Sequence, residues 1–160
     1  MSFYQNTGVL VFGSRLRRLS ESFLADVNRT YRHLGIRFDA AWFPIFYMLS
    51  RKVAVSIREI SEELEVSHSA ASQLISKLQE KGLIRSVTDK SDARKKKVTF
   101  TSKGQKLLEQ VLPVWEALQK AMDEMFRDLP QGKLLMGAIS ETEQAFLDSS
   151  IFNRIEKHLK

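Results

Sequence analysis

Two short stretches of this 160-residue chain carry side chains whose types and spacing suit an anionic polymer. At about 100° per residue, Ser69, Ser72, Gln73 and Ser76 fall on one side of a helix. Ala71, Leu74, Ile75 and Leu78 fall on the opposite, core-facing side. The first side is small, polar and uncharged until Glu80. Serine hydroxyls can contact phosphates or several base edges, and a glutamine amide can pair bidentately with adenine. Ser67 and His68 stand where a helix N-terminus favours a phosphate, and Lys77 adds a cation beside them. The second stretch, residues 89–97, holds Lys90, Arg94, Lys95, Lys96 and Lys97 with Asp89 and Asp92. A loop tip of this kind can lie along a phosphate backbone or insert an arginine into a narrow minor groove. Arg94 suits insertion, because guanidinium tolerates partial desolvation better than ammonium. Asp92 would hold Arg94 in place, and Lys95 and Lys96 would take phosphates. Taken alone, each stretch also reads as surface serines or a solvated charge run. Their adjacency favours nucleic acid.

The elements that must position these residues follow from hydrophobic periodicity and capping. Ser56 and Glu59 form a capping box that opens a short helix over residues 57–64. Ser67 caps a second helix over 68–81, and Gly82 ends it. Two strands are expected at 83–88 and 97–101, with Val98 and Phe100 alternating against Lys97 and Thr99. Helix, short turn, helix and two-stranded hairpin make a winged helix-turn-helix. Upstream, residues 7–33 read as one long helix with Val9, Phe12, Leu16, Leu19, Phe23 and Val27 on one face, stopped by Gly35. Asp39 caps a bulky apolar helix in which Pro44 fits only the first turn or two. Downstream, Thr101 caps a helix running to about residue 128, with a kink expected at Pro113. A break at 129–132, a helix over 133–148 and a last short helix capped by Ser149 or Ser150 complete the chain. The fold class expected is mainly α with a small β-hairpin. The expected division of this single domain is a DNA-binding lobe over 37–101 and a helical dimerisation lobe over 1–36 and 102–160.

Composition narrows the chemistry. Hydrophobic residues are 43% and charged residues 28%, a globular balance, and there is no cysteine for a disulfide or a thiol nucleophile. The net charge of +6 is uneven: residues 51–103 carry 12 Lys/Arg against 7 Asp/Glu. That asymmetry points to an anionic partner met by one region. His33, His68 and His158 lie far apart with no ligands at metal spacing, so no metal or other cofactor is expected. No glycine-rich phosphate loop, nucleophile elbow or acid–base pair argues for an enzyme. The N-terminus does not read as a signal peptide, and no stretch approaches a membrane span, so a cytoplasmic location is expected. Trp42, Phe46, Tyr47 and Trp115 could line a pocket for a small aromatic or anionic effector, with ordinary core packing as the plainer reading. Arg15, Arg17 and Arg18 read as a solvated face.

Residues 60–67 (ISEELEVS), 78–85 (LQEKGLIR) and the wing 89–97 followed by VTFTSKG at 98–104 resemble the MarR family of winged helix-turn-helix regulators. The resemblance implies a homodimer with interlocking N- and C-terminal helices. It also implies a repressor or activator that often responds to small aromatic effectors. Departures carry consequences. Glu65 stands where such turns often have glycine, so the turn either avoids the left-handed region or holds Glu65 strained in it. Lys90 and Ala93 replace a proline and an arginine common in this wing, which leaves Arg94 to carry the wing arginine's role alone. Residues 3–18, 42–49 and 113–116 are similar to a subgroup in which the module precedes an acetyltransferase domain, and no such domain is expected here. The function expected is a sequence-specific double-stranded DNA-binding regulator, a homodimer on a pseudo-palindrome. The alternative from another class is a winged-helix protein–protein adaptor.

Overall fold

The computed structural model describes residues 3–88 and 96–159. Asp92, Arg94 and Lys95 therefore lie outside the described residues, while Lys96 lies inside them. The helix expected over 7–33 is divided. A four-residue helix α1 (Phe3–Asn6) and a 3-10 turn (Gly8–Val11) precede α2 (Phe12–His33). A 3-10 turn at Ala40–Trp42 takes the Asp39 cap, whose carboxylate accepts from the Ala41 N–H at 2.9 Å. It leads into α3 (Phe43–Arg51), with Pro44 in the first turn, where its missing N–H costs nothing. Then come β1 (Val55–Ser56), α4 (Ile57–Glu63), α5 (His68–Glu80), β2 (Ile84–Thr88) and β3 (Lys96–Phe100). The chain continues with α6 (Ser102–Asp128), α7 (Gly132–Asp148) and α8 (Ile151–Glu156).

The hairpin is in fact the larger part of a three-stranded antiparallel sheet, in the order β1-β3-β2. Val55 pairs with Val98 and Ser56 with Lys97. Ile84 pairs with Phe100 and Thr88 with Lys96. The strand β1 was absent from the sequence reading because it is two residues long and its Ser56 doubles as the N-cap of α4. Thr99 Oγ1 reinforces this edge by donating to the Val53 carbonyl at 2.7 Å.

The described residues form two compact units, Met1–Val114 and Trp115–Lys160. The first has a core of Tyr31, Ile45, Phe46, Val55, Ile60, Leu78, Ile84, Val98 and Val111, all essentially inaccessible. Edge-to-face ring contacts run from Tyr31 to Phe38 (4.9 Å), Phe38 to Phe46 (5.0 Å) and Phe46 to Phe100 (4.9 Å). These contacts join α2, α3 and β3 through one aromatic cluster. On α2 the expected apolar stripe is present but uncovered: Phe12, Leu16, Leu19 and Phe23 are all exposed. In the second unit no hydrophobic side chain among the described residues is buried, and Leu134, Met136, Leu147, Phe152 and Ile155 are each more than half exposed.

Candidate nucleic-acid interface

Local chemistry sets the helix pair. Ser56 Oγ accepts from the Glu59 N–H at 3.1 Å, and the Glu59 carboxylate accepts from the Ser56 N–H at 2.7 Å. These bonds to Ser56 hold the Glu59 carboxyl below the usual carboxylate range. Helix α4 ends in a Schellman motif, with Val66 N–H donating to Ser61 O (3.1 Å) and Glu65 N–H to Glu62 O (3.3 Å). Glu65 is forced left-handed at φ 51, the only described non-glycine residue with positive φ. The turn therefore holds Glu65 strained. Gly35 and Gly82 close α2 and α5 with the same bond pattern at φ 68.

Helix α5 places its faces as its periodicity predicts. Ala71, Ile75 and Leu78 are buried and Leu74 is half-buried. Ser69, Gln73, Ser76, Lys77 and Glu80 are exposed, with Gln73 near the middle of the free face. Ser72 is half-buried and sits at the edge of that face. Ser67 and His68 are exposed at the N-terminus. Ser67 Oγ accepts from the Ala70 N–H at 3.1 Å, which leaves its hydroxyl proton free to point at an acceptor. Sequence reasoning passed over Ala70, an exposed methyl one turn before Gln73 that suits contact with a thymine methyl. Its signal was its position at i−3 from Gln73. Arg85 and Lys96 are likewise exposed on the sheet, and Arg85 was also missed. By contrast Arg58 is paired with Glu62 (2.7 Å) and Lys52 with Glu63, so their charges are locally compensated.

The far end of α5 is fastened to the sheet and to α6. Gln79 Nε2 donates to Ser86 Oγ (2.9 Å), and Lys103 Nζ donates to the Lys81 carbonyl (2.7 Å). Thr101 Oγ1 donates to the Gly82 carbonyl (2.6 Å) and accepts from the Gly104 N–H (3.1 Å). Gly104 has no room for a side chain: a Cβ there would lie 1.9 Å from the Leu83 carbonyl oxygen.

Of the aromatic residues expected around an effector, the three in the first unit, Trp42, Phe46 and Tyr47, differ in exposure. Phe46 is fully buried in the ring cluster, so it offers no surface to a ligand. Tyr47 is exposed and stacks on Phe43. Trp115 belongs to the second unit. Trp42 borders a concavity, an open groove of ≈ 700 Å³ also lined by Arg37, Lys81, Lys103 and Lys106. Among the described residues, no cluster of three or more His, Asp or Glu could hold a metal ion. No described helix is long and apolar enough to cross a membrane.

The paired helices, the sheet and the exposed polar face define a winged helix-turn-helix protein, mainly α with a small antiparallel sheet. Within that class residues 38–95 match the model of the MarR family. Solved structures of this fold align over most of the chain. The transcriptional regulator BldR from Sulfolobus solfataricus is 21% identical, with a TM-score of 0.62, covering 91% of this chain and 99% of its own. The S. aureus MepR–DNA complex is 17% identical, with a TM-score of 0.67, covering 85% and 97%. Bordetella bronchiseptica BpsR, whose DNA binding is regulated by 6-hydroxynicotinic acid, is 22% identical, with a TM-score of 0.64, covering 82% and 91%. No curated protein matches the chain.

Proposed function

We propose that this chain is a sequence-specific double-stranded DNA-binding transcriptional regulator, a repressor that acts as a homodimer and is released by a small-molecule effector. The observation that carries the DNA reading is the free face of α5: slim, polar and centred on Gln73, with its opposite face buried. A major groove admits a helix with such a face. Ser69, Ser72, Gln73 and Ser76 read base edges. Ser67, His68, Lys77, Lys95 and Lys96 take phosphates, and Arg94, held by Asp92, enters the minor groove. Residues 37–101 form the DNA-reading lobe, and residues 1–36 and 102–160 the dimerisation lobe.

The dimer reading is supported by apolar surface with nothing to cover it. The second unit's described residues bury no hydrophobic side chain of their own, and α2 exposes a stripe of four. Surface of this extent marks an interface, and a two-fold partner covers the same patch on both copies. Two recognition helices would then meet successive major grooves roughly 34 Å apart. A gel shift with random duplex at low salt tests DNA binding, and retardation is expected. No retardation at micromolar protein would leave the protein–protein adaptor. Sedimentation tests the dimer: a species of twice 18.4 kDa is expected, and a monomer sinks this part.

A further inference from the structure

We propose that the groove at the C-terminal end of α5 binds a small phosphorylated ligand carrying a flat ring, of the nucleoside diphosphate class. The groove lies within the first unit and is built from three stretches of chain. The link after α2 gives Gly35, Arg37 and Trp42, the end of α5 gives Lys81 and Leu83, and the start of α6 gives Ser102, Lys103, Lys106, Leu107 and Gln110. Four of these residues are cationic and none is acidic. None of the four is in an ion pair with a described residue. Elsewhere on this surface Arg17, Lys52 and Arg58 each have a glutamate partner. What sets this concavity apart is four cationic side chains gathered in one lining with no carboxylate among them.

The chemistry of the lining selects the ligand. Like charges gathered in one groove repel, and the Coulomb gain on neutralising them grows with the ligand's charge, which favours a phosphorylated polyanion over a monocarboxylate. Lys103, Lys106 and Gln110, at i, i+3 and i+7 on α6, present two ammonium groups and an amide along one line. Arg37, from the link after α2, lines the same groove with a guanidinium fork suited to phosphate oxygens. The half-buried Trp42 supplies an aromatic surface for a ring, backed by the buried Leu83 and Leu107. Lys81 Nζ lies 5.4 Å from the Trp42 ring centre, a cation already resting on that face. The ≈ 700 Å³ volume suits a ligand of nucleotide size, within the roughly 300–1,000 Å³ of small-molecule sites. The site is separate from the surface that would meet DNA phosphates. It lies at the far end of the 13-residue α5 from Ser67 and His68, about 20 Å away along the helix. A bound ligand would bridge α5 to α6, and its effect on DNA rests on the function proposed above; the binding itself does not.

Calorimetric titration of the whole chain with ADP, pyrophosphate and adenosine tests the site without any DNA. ADP is expected to bind and adenosine to bind at least ~10-fold more weakly, a difference of about 1.4 kcal/mol or more. Lys106→Glu should weaken ADP at least ~10-fold while the circular dichroism stays that of the wild type. Lys96→Ala, on the sheet, should leave ADP affinity unchanged. Silence with both ADP and pyrophosphate overturns the proposal. So does a Lys106→Glu protein that titrates like the wild type, or an ADP signal lost in Lys96→Ala, which would place the anion on the sheet surface instead. Loss of DNA retardation in the gel shift, with ADP binding intact, counts against the DNA reading alone.

Discussion

Replacing Glu65 by glycine should stabilise this protein, although it removes a side chain. Glu65 closes α4 at φ 51, in a motif where α2 and α5 use Gly35 and Gly82 at φ 68. A left-handed L-residue costs roughly 1–2 kcal/mol. Glycine gives back about 0.4–1 kcal/mol through the freer unfolded chain. The Glu65 side chain makes no ion pair with any described residue, so no such contact offsets the strain. The balance is a gain of about 0.5–1 kcal/mol. The reciprocal change, Gly82→Ala, meets no atom within 4 Å and so isolates the backbone cost. Net of the stiffer unfolded chain, it should destabilise by about 0.5–1 kcal/mol. With a urea slope of about 2 kcal/mol/M, Glu65→Gly raises the unfolding midpoint by about 0.3–0.5 M, measured at fixed protein concentration because a dimer's stability depends on it. A lowered midpoint for Glu65→Gly, or a neutral Gly82→Ala, would refute the reasoning.

Other outcomes follow from the same geometry. Gly104→Ala should lower stability by about 1–3 kcal/mol in urea unfolding, because its methyl would lie 1.9 Å from the Leu83 oxygen; wild-type stability would mean that the approach of α6 to β2 is looser than described. In competition binding against operator variants, Gln73→Ala should relax preference at one base position by ~1–3 kcal/mol, with little change in salt dependence. Arg94→Ala should weaken binding to every sequence and reduce the salt slope by about 1. Wild-type affinity from both Gln73→Ala and Arg94→Ala would remove these residues from the interface. Glu59→Gln keeps the cap's shape without its charge. Because the Glu59 carboxyl sits below its usual range, its contribution is full above the unfolded value of about 4.3 and is lost as pH falls through the lower folded value. The stability gap between wild type and Glu59→Gln should therefore be full well above about pH 4.3 and shrink as pH falls below it; a gap independent of pH contradicts this.

How much was legible in the sequence depended on how local the determinant is. Ser56 with Glu59, Ser67, and Thr101 were readable because a cap and its N–H partner lie three residues apart. The buried side of α5 was readable because a 3.6-residue period needs no knowledge of its neighbours. The pairing of Val55 with Val98 was not, since it joins residues 43 positions apart through a two-residue strand. Aromatic type suggested Phe46 as a pocket residue. Its burial comes from Phe38 and Phe100, and Phe100 is brought up by the sheet. The cationic groove was invisible for the same reason: Arg37 and Lys106 stand far apart in sequence and meet only through the packing of the first unit.

The ties on α5 are unequally distributed, and this bears on how a DNA-reading helix could be controlled. The bonds that Gln79 donates to Ser86 and that Lys103 and Thr101 donate all involve α5 or its cap between Gln79 and Gly82, where Gly104 brings α6 against Leu83. At the other end the described hydrogen bonds are the Ser67 cap and the turn that strains Glu65. The end proposed to enter DNA therefore has fewer side-chain hydrogen bonds to the rest of the first unit. A displacement of α6 relative to the sheet would act first on the fastened end and be carried along the helix to Gln73 and Ser69, since a helix transmits motion as a rigid element. Control of DNA binding then requires no contact near the bases. It requires only a ligand, or a partner copy, that prefers one position of α6, and the equilibrium shifts by that difference in affinity.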